Sequence, residues 1–335
     1  GASSGPSGGR RVVMTTGRGK TVSPAHFELS TIHYVRKALA WATALFHEKG
    51  ISSSRLDAEL LLANALGIER VELYKDPSRF LTFAQRCLFR RLIRRRVQGD
   101  PLAYILGRKE FWSLELRVSS SVLIPRPETE LLVETALRLA DGFQGVNSAI
   151  EATADPDLIS EETLSILDLG TGSGNIAIAL ARELPAGRIV ALDLSLKALR
   201  LAQTNARIHG VLSQIGFLCG DLYAPLKDFA HSFHLIVSNP PYISQEGLGH
   251  LPPEAREHEP RLALDGGVGG LAYYRRIIAG AAPYLAKGGR LLLELGYGQF
   301  QMVSHLLEGH PFLAFQEVLE DHAGIPRVLV AKGRS

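Results

Sequence analysis

The sequence is poor in cysteine, holds no ordered histidine pattern and has no long apolar run, and each shortage excludes something. Only Cys87 and Cys219 occur among 335 residues. They lie far apart and in no metal-like spacing, which argues against a disulfide framework or a zinc site and fits a reducing compartment. The eleven histidines are scattered, with no His-Glu-x-x-His pattern, so no catalytic metal is expected. No stretch of about 18 consecutive apolar residues occurs, so neither a membrane span nor a membrane partner is expected. Acid is missing before Glu28, and Arg10, Arg11, Arg18 and Lys20 are the only formal charges up to that point. Residues 1–29 are therefore expected to be a disordered leader or tag. Gly1 is the first residue and Met14 is an alternative start. The expected location is the cytoplasm. A basic, acid-free, serine-containing leader also fits an organelle transit peptide, which leaves a mitochondrial or plastid matrix as the alternative.

What is present is enough apolar residue, 46%, for a packed core. The length suits two domains. Net charge is only +3, so no direct nucleic-acid substrate is expected. The charge is uneven: Arg86, Arg90, Arg91, Arg94, Arg95 and Arg96 fall within eleven residues. Such a run is either a solvated helix face or a docking surface for an acidic partner.

From Ser30 the apolar period is helical. Ile32, Val35, Leu39, Ala42 and Phe46 predict a helix stopped by Gly50, and a second is predicted from Ser54 to Gly67. Pro77 breaks the chain, and a third helix is predicted over 83–98. Gly99-Asp100-Pro101 is a turn. Phe111 to Val118 and then Val122 to Ile124 are expected to be the two strands of a hairpin, followed by a helix from Glu128 to Leu139 and a polar loop over 141–163. Beyond it, strands at 166–169, 188–193, 215–219, 233–238, 290–295, 312–318 and 327–330 alternate in large part with helices. That alternation predicts a mainly parallel, doubly wound α/β sheet with its ligand at the carboxyl ends of the strands.

Two motifs carry chemistry. In Asp168-Leu169-Gly170-Thr171-Gly172-Ser173-Gly174 a strand ends and a helix opens. The glycines permit close backbone approach, the helix start offers free N–H donors, and Asp193 at the end of the next strand is placed to hold ribose hydroxyls. A bare tight turn and a dinucleotide site are the rivals, but the spacing is Gly-x-Gly-x-Gly and not Gly-x-Gly-x-x-Gly. The pattern is similar to the glycine loop of Rossmann-like methyltransferases, in which Asp221 and Leu222, after the third strand, would lie beside the adenine. Asp221 can equally be an ordinary loop cap.

The second motif is Asn239-Pro240-Pro241-Tyr242, directly after the fourth apolar strand. An amide or arylamine nitrogen is a poor nucleophile because its lone pair is delocalised. The Asn239 side-chain oxygen and the Pro240 carbonyl can accept from its NH₂ and draw it toward tetrahedral geometry. Pro241 stiffens the loop, and the Tyr242 ring can pack on a planar acceptor.

This loop is shared by adenine-N6 DNA methyltransferases and protein-glutamine methyltransferases. The surroundings choose. Phe111-Trp112, Ile124-Pro125-Arg126-Pro127-Glu128-Thr129-Glu130, Glu259-Pro260-Arg261-Leu262-Ala263-Leu264-Asp265-Gly266-Gly267, and Gly288-Gly289 before Leu291-Leu292-Leu293-Glu294 resemble the protein-(glutamine-N5) methyltransferases of the HemK/PrmC type. The resemblance runs from about residue 30 to the carboxyl terminus. It implies a Rossmann-like class I S-adenosylmethionine methyltransferase domain with a small helical N-terminal domain. It implies S-adenosyl-L-methionine as cofactor and the glutamine of the Gly-Gly-Gln motif in class-1 peptide chain release factors as substrate. By the same resemblance Gly170, Thr171, Gly172, Ser173, Gly174, Asp193, Asp221, Leu222 and Asn239 would contact the cofactor. Asn239, Pro240, Pro241 and Tyr242 would hold the glutamine, with Asn239, Pro240 and Tyr242 catalytic. The implied organisation is a helical substrate-recognition domain over 30–98, a hairpin and connecting helix over 99–141, and the methyltransferase domain over 142–335. Leu222 stands where the family carries an aromatic, so adenine stacking would be weaker or come from Tyr223. Arg126 would face the cofactor carboxylate or pair with Glu130. A cofactor-binding protein without catalysis is the reading from another class; the intact Asn239–Tyr242 loop speaks against it.

Overall fold

A computed structural model describes residues 32–150 and 163–334, with side chains of 144–150 left aside. The expected leader over 1–29 and most of the loop expected over 141–163 lie outside the described residues. The chain divides into two compact units between Leu106 and Gly107. The boundary expected after residue 98 omitted a short helix that belongs to the first unit.

The first unit is helical: α1 (Val35–Glu48), α2 (Ser54–Leu66), α3 (Glu72–Lys75), α4 (Phe83–Val97) and α5 (Leu102–Leu106). Local chemistry sets the ends. Gly67, at φ 65° and ψ 37°, closes α2 in the left-handed conformation. Thr82 and Gln85 cap α4 reciprocally, Gln85 N donating to Thr82 Oγ1 at 3.2 Å and Thr82 N to Gln85 Oε1 at 3.0 Å. Apolar faces of α1, α2 and α4 enclose Leu39, Phe46, Leu61, Phe89 and Ile93, with Trp41 edge-on to Phe89 at 6.1 Å. The two shortest helices escaped the sequence because four or five residues hold too little period to recognise.

The arginine run is not one face. Arg90, Arg91 and Arg94 are exposed, whereas Arg95 donates to Asp100 at 2.6 Å and Arg96 is buried. Arg96 Nε meets Asp57 Oδ2 at 2.6 Å, with both side chains under 10% exposed. Removing one partner of a buried pair strands the other charge and costs about 3–5 kcal/mol. Asp57→Ala is therefore expected to lower the first unfolding midpoint in urea markedly, whereas Arg90→Ala should shift it by no more than about 0.5 kcal/mol. Equal effects of the two variants would contradict this division of the run.

The second unit opens with a hairpin of β1 (Arg108–Phe111) and β2 (Leu114–Arg117). Its two-residue turn, Trp112-Ser113, has φ of 53° and 57°. This corrects the expected hairpin, whose second strand was placed at Val122–Ile124. The turn lacks the Asn-Gly or Asp-Gly signal that usually marks such a backbone, so the strand pattern was read straight through it. Trp112 holds the turn from outside: its N–H donates to Glu130 Oε1 and its indole N–H to Glu183 Oε1, each at 2.9 Å.

A single 3-10 turn, Pro127–Thr129, leads into α6 (Glu130–Ile150). The helix runs past the predicted end at Leu139, with Gly142 inside it. Nothing lies within 4 Å of an added Cβ there, and an interior glycine costs only about 1 kcal/mol. There follow β3 (Ser165–Leu169), α7 (Asn175–Glu183), β4 (Arg188–Asp193), α8 (Leu196–Ile208), β5 (Ile215–Cys219), β6 (Phe233–Ser238), the short α9 (Gln245–Leu248), α10 (Pro253–His258) and α11 (Arg261–Leu264), then α12 (Ala272–Ala281), β7 (Leu285–Glu294), α13 (Phe300–His305), β8 (Leu313–Glu320) and β9 (Pro326–Gly333).

These strands form one seven-stranded sheet in the order β5-β4-β3-β6-β7-β9-β8. β3 to β7 are parallel and β9 runs antiparallel to both β7 and β8. This is the mainly parallel, doubly wound sheet expected from the alternation of strands and helices. Both sheet faces are covered, so the central strands are apolar nearly throughout. Ile166, Leu235, Val237 and Leu292 pack under α6 and α7, while Leu167, Leu169, Ile236 and Leu293 pack under α12. Strand order reverses between β3 and β6, and the cleft outside their carboxyl ends is where such a sheet takes a ligand. No helix among the described residues is long and apolar enough to cross a membrane.

Candidate active site

A cleft of about 1080 Å³, counted to its open mouth, lies at that reversal point. Every sequence-predicted site residue except Gly174 and Tyr242 lines it: Gly170 to Ser173, Asp193, Asp221, Leu222 and Asn239 to Pro241.

The glycine loop leaves β3 with Gly170, Gly172 and Gly174 all at positive φ. Gly174, at φ 82°, begins α7, and a Cβ there would stand 2.9 Å from Ile178 and 3.1 Å from Ala202. The loop is held from three sides. Gly170 N and Thr171 N donate to Leu192 O at 2.8 and 2.9 Å. Thr171 Oγ1 donates to Asp168 Oδ2 at 2.7 Å. Asn205, fully buried on α8, donates to Ser173 O at 2.9 Å and exchanges two bonds with the Arg117 backbone at 2.8 and 3.0 Å. One amide thus joins glycine loop and hairpin. Nothing in the sequence marks Asn205, because its partner lies 88 residues away.

Asp193 accepts from Gly172 N through Oδ2 and from Ser195 N through Oδ1, both at 2.8 Å. Burial pushes its carboxyl up, and those backbone donors pull it back. Each oxygen keeps acceptor capacity toward the cleft. Asp168 lies beneath the loop, fully buried, and desolvation pushes it up to about 7. Asp221 is exposed and paired with Arg276 at 2.7 Å.

Leu222 lines the cleft and Tyr223 does not. Tyr223 is buried against α12, stacked on Tyr284 at 5.0 Å, with its hydroxyl donating to Ile277 O at 3.0 Å. It cannot stack on a base in the cleft, which corrects the alternative raised from the sequence. The aromatic that does line the cleft is Tyr273 on α12, with Arg276 over its ring at 5.8 Å. No sequence signal pointed to it, since it sits in an ordinary helical pattern.

Asn239 follows β6 at the cleft wall, and its Nδ2 donates to Thr129 Oγ1 at 3.1 Å. The loop behind it is pinned by backbone bonds, Ile243 N to Leu264 O at 3.0 Å and Gly266 N to Ile243 O at 2.8 Å, and by Gln299 Nε2 to Tyr242 O at 2.9 Å. Tyr242 itself lies off the cleft, on the side of Glu294, Arg327, Arg126 and Glu128, and burial raises its hydroxyl to about 12. Arg126 pairs with Glu259 at 2.5 Å, not with Glu130, whose Oε1 is taken by Trp112. Glu259 also accepts from Ile124 N at 3.2 Å. This carboxylate therefore joins the two segments that carry Pro125 and Pro260 to the cleft. No group of histidine, cysteine and acidic residues able to hold a metal occurs among the described residues.

The chain is 43% identical over 276 residues to the release factor glutamine methyltransferase of Geobacter sulfurreducens, covering 82% of this chain and 89% of that protein. The chain belongs to the release factor glutamine methyltransferase family. Proteins of the same name from Chlorobaculum tepidum and Moorella thermoacetica are 42% and 39% identical, covering 88% and 90% of this chain and 96% and 99% of theirs. The family model described as the PrmC N-terminal domain matches residues 37–107, and that of the methyltransferase small domain matches 156–250. As a member of this family the chain is a methyltransferase that uses S-adenosylmethionine, and its cleft suits that cofactor. Three left-handed glycines and the start of α7 leave room and N–H donors, and Asp193 offers an anchored carboxylate one strand away.

Proposed function

We propose that this chain methylates N5 of the glutamine side chain in the Gly-Gly-Gln motif of class-1 peptide chain release factors, and so modulates translation termination. One observation carries the reading. The Asn239 amide stands in the wall of the cleft that holds the glycine loop, with its NH₂ end taken by Thr129 and its oxygen end left for an incoming NH₂. The names of the relatives support the same substrate class.

When bound, the cofactor supplies a methyl group on a cationic sulfur. The residues from Gly170 to Gly174 would cradle its amino-acid end and Asp193 its ribose hydroxyls. Leu194, Leu222 and Tyr273 would wall its base, with Asp221 at the edge. Asn239 Oδ1 and the Pro240 carbonyl accept from the substrate NH₂ and hold the nitrogen lone pair toward the methyl. Positive charge develops on that nitrogen as the bond forms, so these fixed dipoles stabilise the transition state more than the ground state. Pro241 stiffens the loop, and Tyr242, off the cleft, holds it from behind through its carbonyl, which accepts from Gln299 Nε2. No strong base is required before attack, because the nitrogen becomes acidic once it carries the methyl. A direct nucleic-acid substrate and a membrane partner form no part of this reading, and its place is the cytoplasm, where termination runs.

The test is methyl transfer from labelled cofactor to a purified release factor, a ribosomal protein preparation and duplex DNA, with peptide mass mapping. Label on the Gly-Gly-Gln glutamine alone is the expected result. Label on DNA, or on another protein's glutamine, would move the substrate elsewhere.

A further inference from the structure

Behind Asn239 stand two buried polar groups that the reaction as described above does not use. Thr129, 1% exposed, accepts from Asn239 Nδ2 at 3.1 Å. The carboxyl of Glu294, 2% exposed at the end of β7, faces that hydroxyl. The second carboxyl oxygen, Oε2, has no hydrogen-bond partner among the described residues.

Proton count sets the consequence. A threonine hydroxyl has one proton to give and an ionised carboxylate has none. Ionised Glu294 therefore draws the Thr129 O–H to point at it, and Thr129 can only accept from Asn239. Only the NH₂ end of the amide satisfies that, so Oδ1 is turned away from Thr129. With Glu294 protonated, the carboxyl can donate to Thr129 and release the hydroxyl proton toward the amide. The amide can then turn over and offer an NH₂, which cannot accept from a substrate NH₂. We propose that Thr129 and Glu294 are positioning residues that select the orientation of the Asn239 amide, ionised Glu294 enforcing the one that presents Oδ1 to the acceptor nitrogen. This rests on the reading of Asn239 given under the proposed function.

The groups around Glu294 allow the switch to fall in a measurable range. Tyr242 faces it from the catalytic loop, Arg126 and Glu128 from the segment before α6, and Arg327 from β9, itself paired with Asp321 at 2.8 Å. Tyr274 on α12 donates to the Glu294 backbone carbonyl at 2.8 Å. Burial dominates and pushes Glu294 up to about 7. The Thr129 hydroxyl and the two arginines oppose this, and Glu128 adds to it. Glu294 loses its proton as pH rises through that value, so kcat should climb between pH 6 and pH 8.

The experiment measures kcat, KM and cofactor Kd against pH for the full chain and for Thr129→Val, Thr129→Ser, Glu294→Gln and Asn239→Ala. Thr129→Val should lose about 10- to 100-fold in kcat, the usual effect of removing a supporting hydrogen bond, with Kd and KM within about threefold and no acid limb. Thr129→Ser should keep both rate and limb, and Glu294→Gln should show a flat profile. Wild-type kcat in Thr129→Val beside an inactive Asn239→Ala would overturn this inference alone. So would a Thr129→Ser as impaired as Thr129→Val, or an acid limb persisting in Glu294→Gln. Full turnover in Asn239→Ala would instead sink the reading of Asn239 itself.

Discussion

Asn239→Ala is expected to lower kcat for methyl transfer by about 1000-fold, close to 4 kcal/mol of transition-state stabilisation. The variant removes one of the two acceptors proposed to act on the substrate NH₂, together with the side chain that Thr129 orients. It leaves the Glu294 carboxyl facing the Thr129 hydroxyl, which can turn its O–H there. Ser238, next in the chain, donates to Leu169 O at 2.7 Å and is untouched, so β6 keeps its place beside β3. Cofactor binding should therefore weaken by no more than about tenfold, since the glycine loop and Asp193 remain intact. Equilibrium titration of the cofactor alongside single-turnover transfer separates the two effects. A variant with wild-type turnover, or one that fails only because it no longer binds cofactor, contradicts the role given to Asn239.

Gly270→Ala should be the most damaging single-methyl change near the site. Gly270 has φ 72°, and its Cβ would lie 2.2 Å from Tyr242 O and 2.6 Å from Gln299 Nε2. Those two atoms form one hydrogen bond of 2.9 Å that pins the loop just after Pro241. The added methyl cannot coexist with that bond, so either the Tyr242 backbone or Gln299 must move. Gln299 is itself held, its Oε1 accepting from Gly296 N at 3.0 Å and from the Tyr274 hydroxyl at 3.3 Å. Displacement by an ångström at a catalytic loop costs about 100-fold in rate, and overpacking of this kind costs about 1–3 kcal/mol of stability. Gly298→Ala is the control. It shares the left-handed backbone, φ 73°, but nothing lies within 4 Å of the new Cβ. It should show the backbone cost of about 1 kcal/mol without the loss of rate. If the two variants behave alike, backbone strain and not the clash with Tyr242 explains Gly270.

The lesson of the tertiary structure is clearest where a partner is far away in the chain. Arg126 lines the cleft, but the ion pair with Glu130 suggested by its own segment does not form. It meets Glu259, 133 residues on, because the sheet order lays the segment before α6 against the one leading into α11. Thr129 reaches Asn239 across 110 residues, and Asn205 reaches Arg117 across 88. Tyr223 and Tyr273 exchanged places in the same way. The aromatic two residues after the motif acid is buried against α12, while one 50 residues later lines the cleft.

Local signals, by contrast, needed no tertiary context. Glycine is required wherever φ is positive beside a close neighbour, so Gly170 to Gly174 announced a strand-to-helix turn from their spacing alone. The apolar runs at 166–169 and 233–238 stand at β3 and β6 because buried parallel strands are apolar on both faces. Gly67 and the Thr82 cap ended and began helices through chemistry confined to one turn. The hairpin failed for the same reason in reverse, since Trp112-Ser113 turns without a local turn signal and is held by Glu130 and Glu183 from elsewhere. Period, turn and cap are properties of a few consecutive residues, and the sequence by itself determined the alternating elements, the sheet class and the two loops that converge on the cleft. Which side chains complete those loops was decided only by folding, because strand order and register choose the partner of each buried polar group.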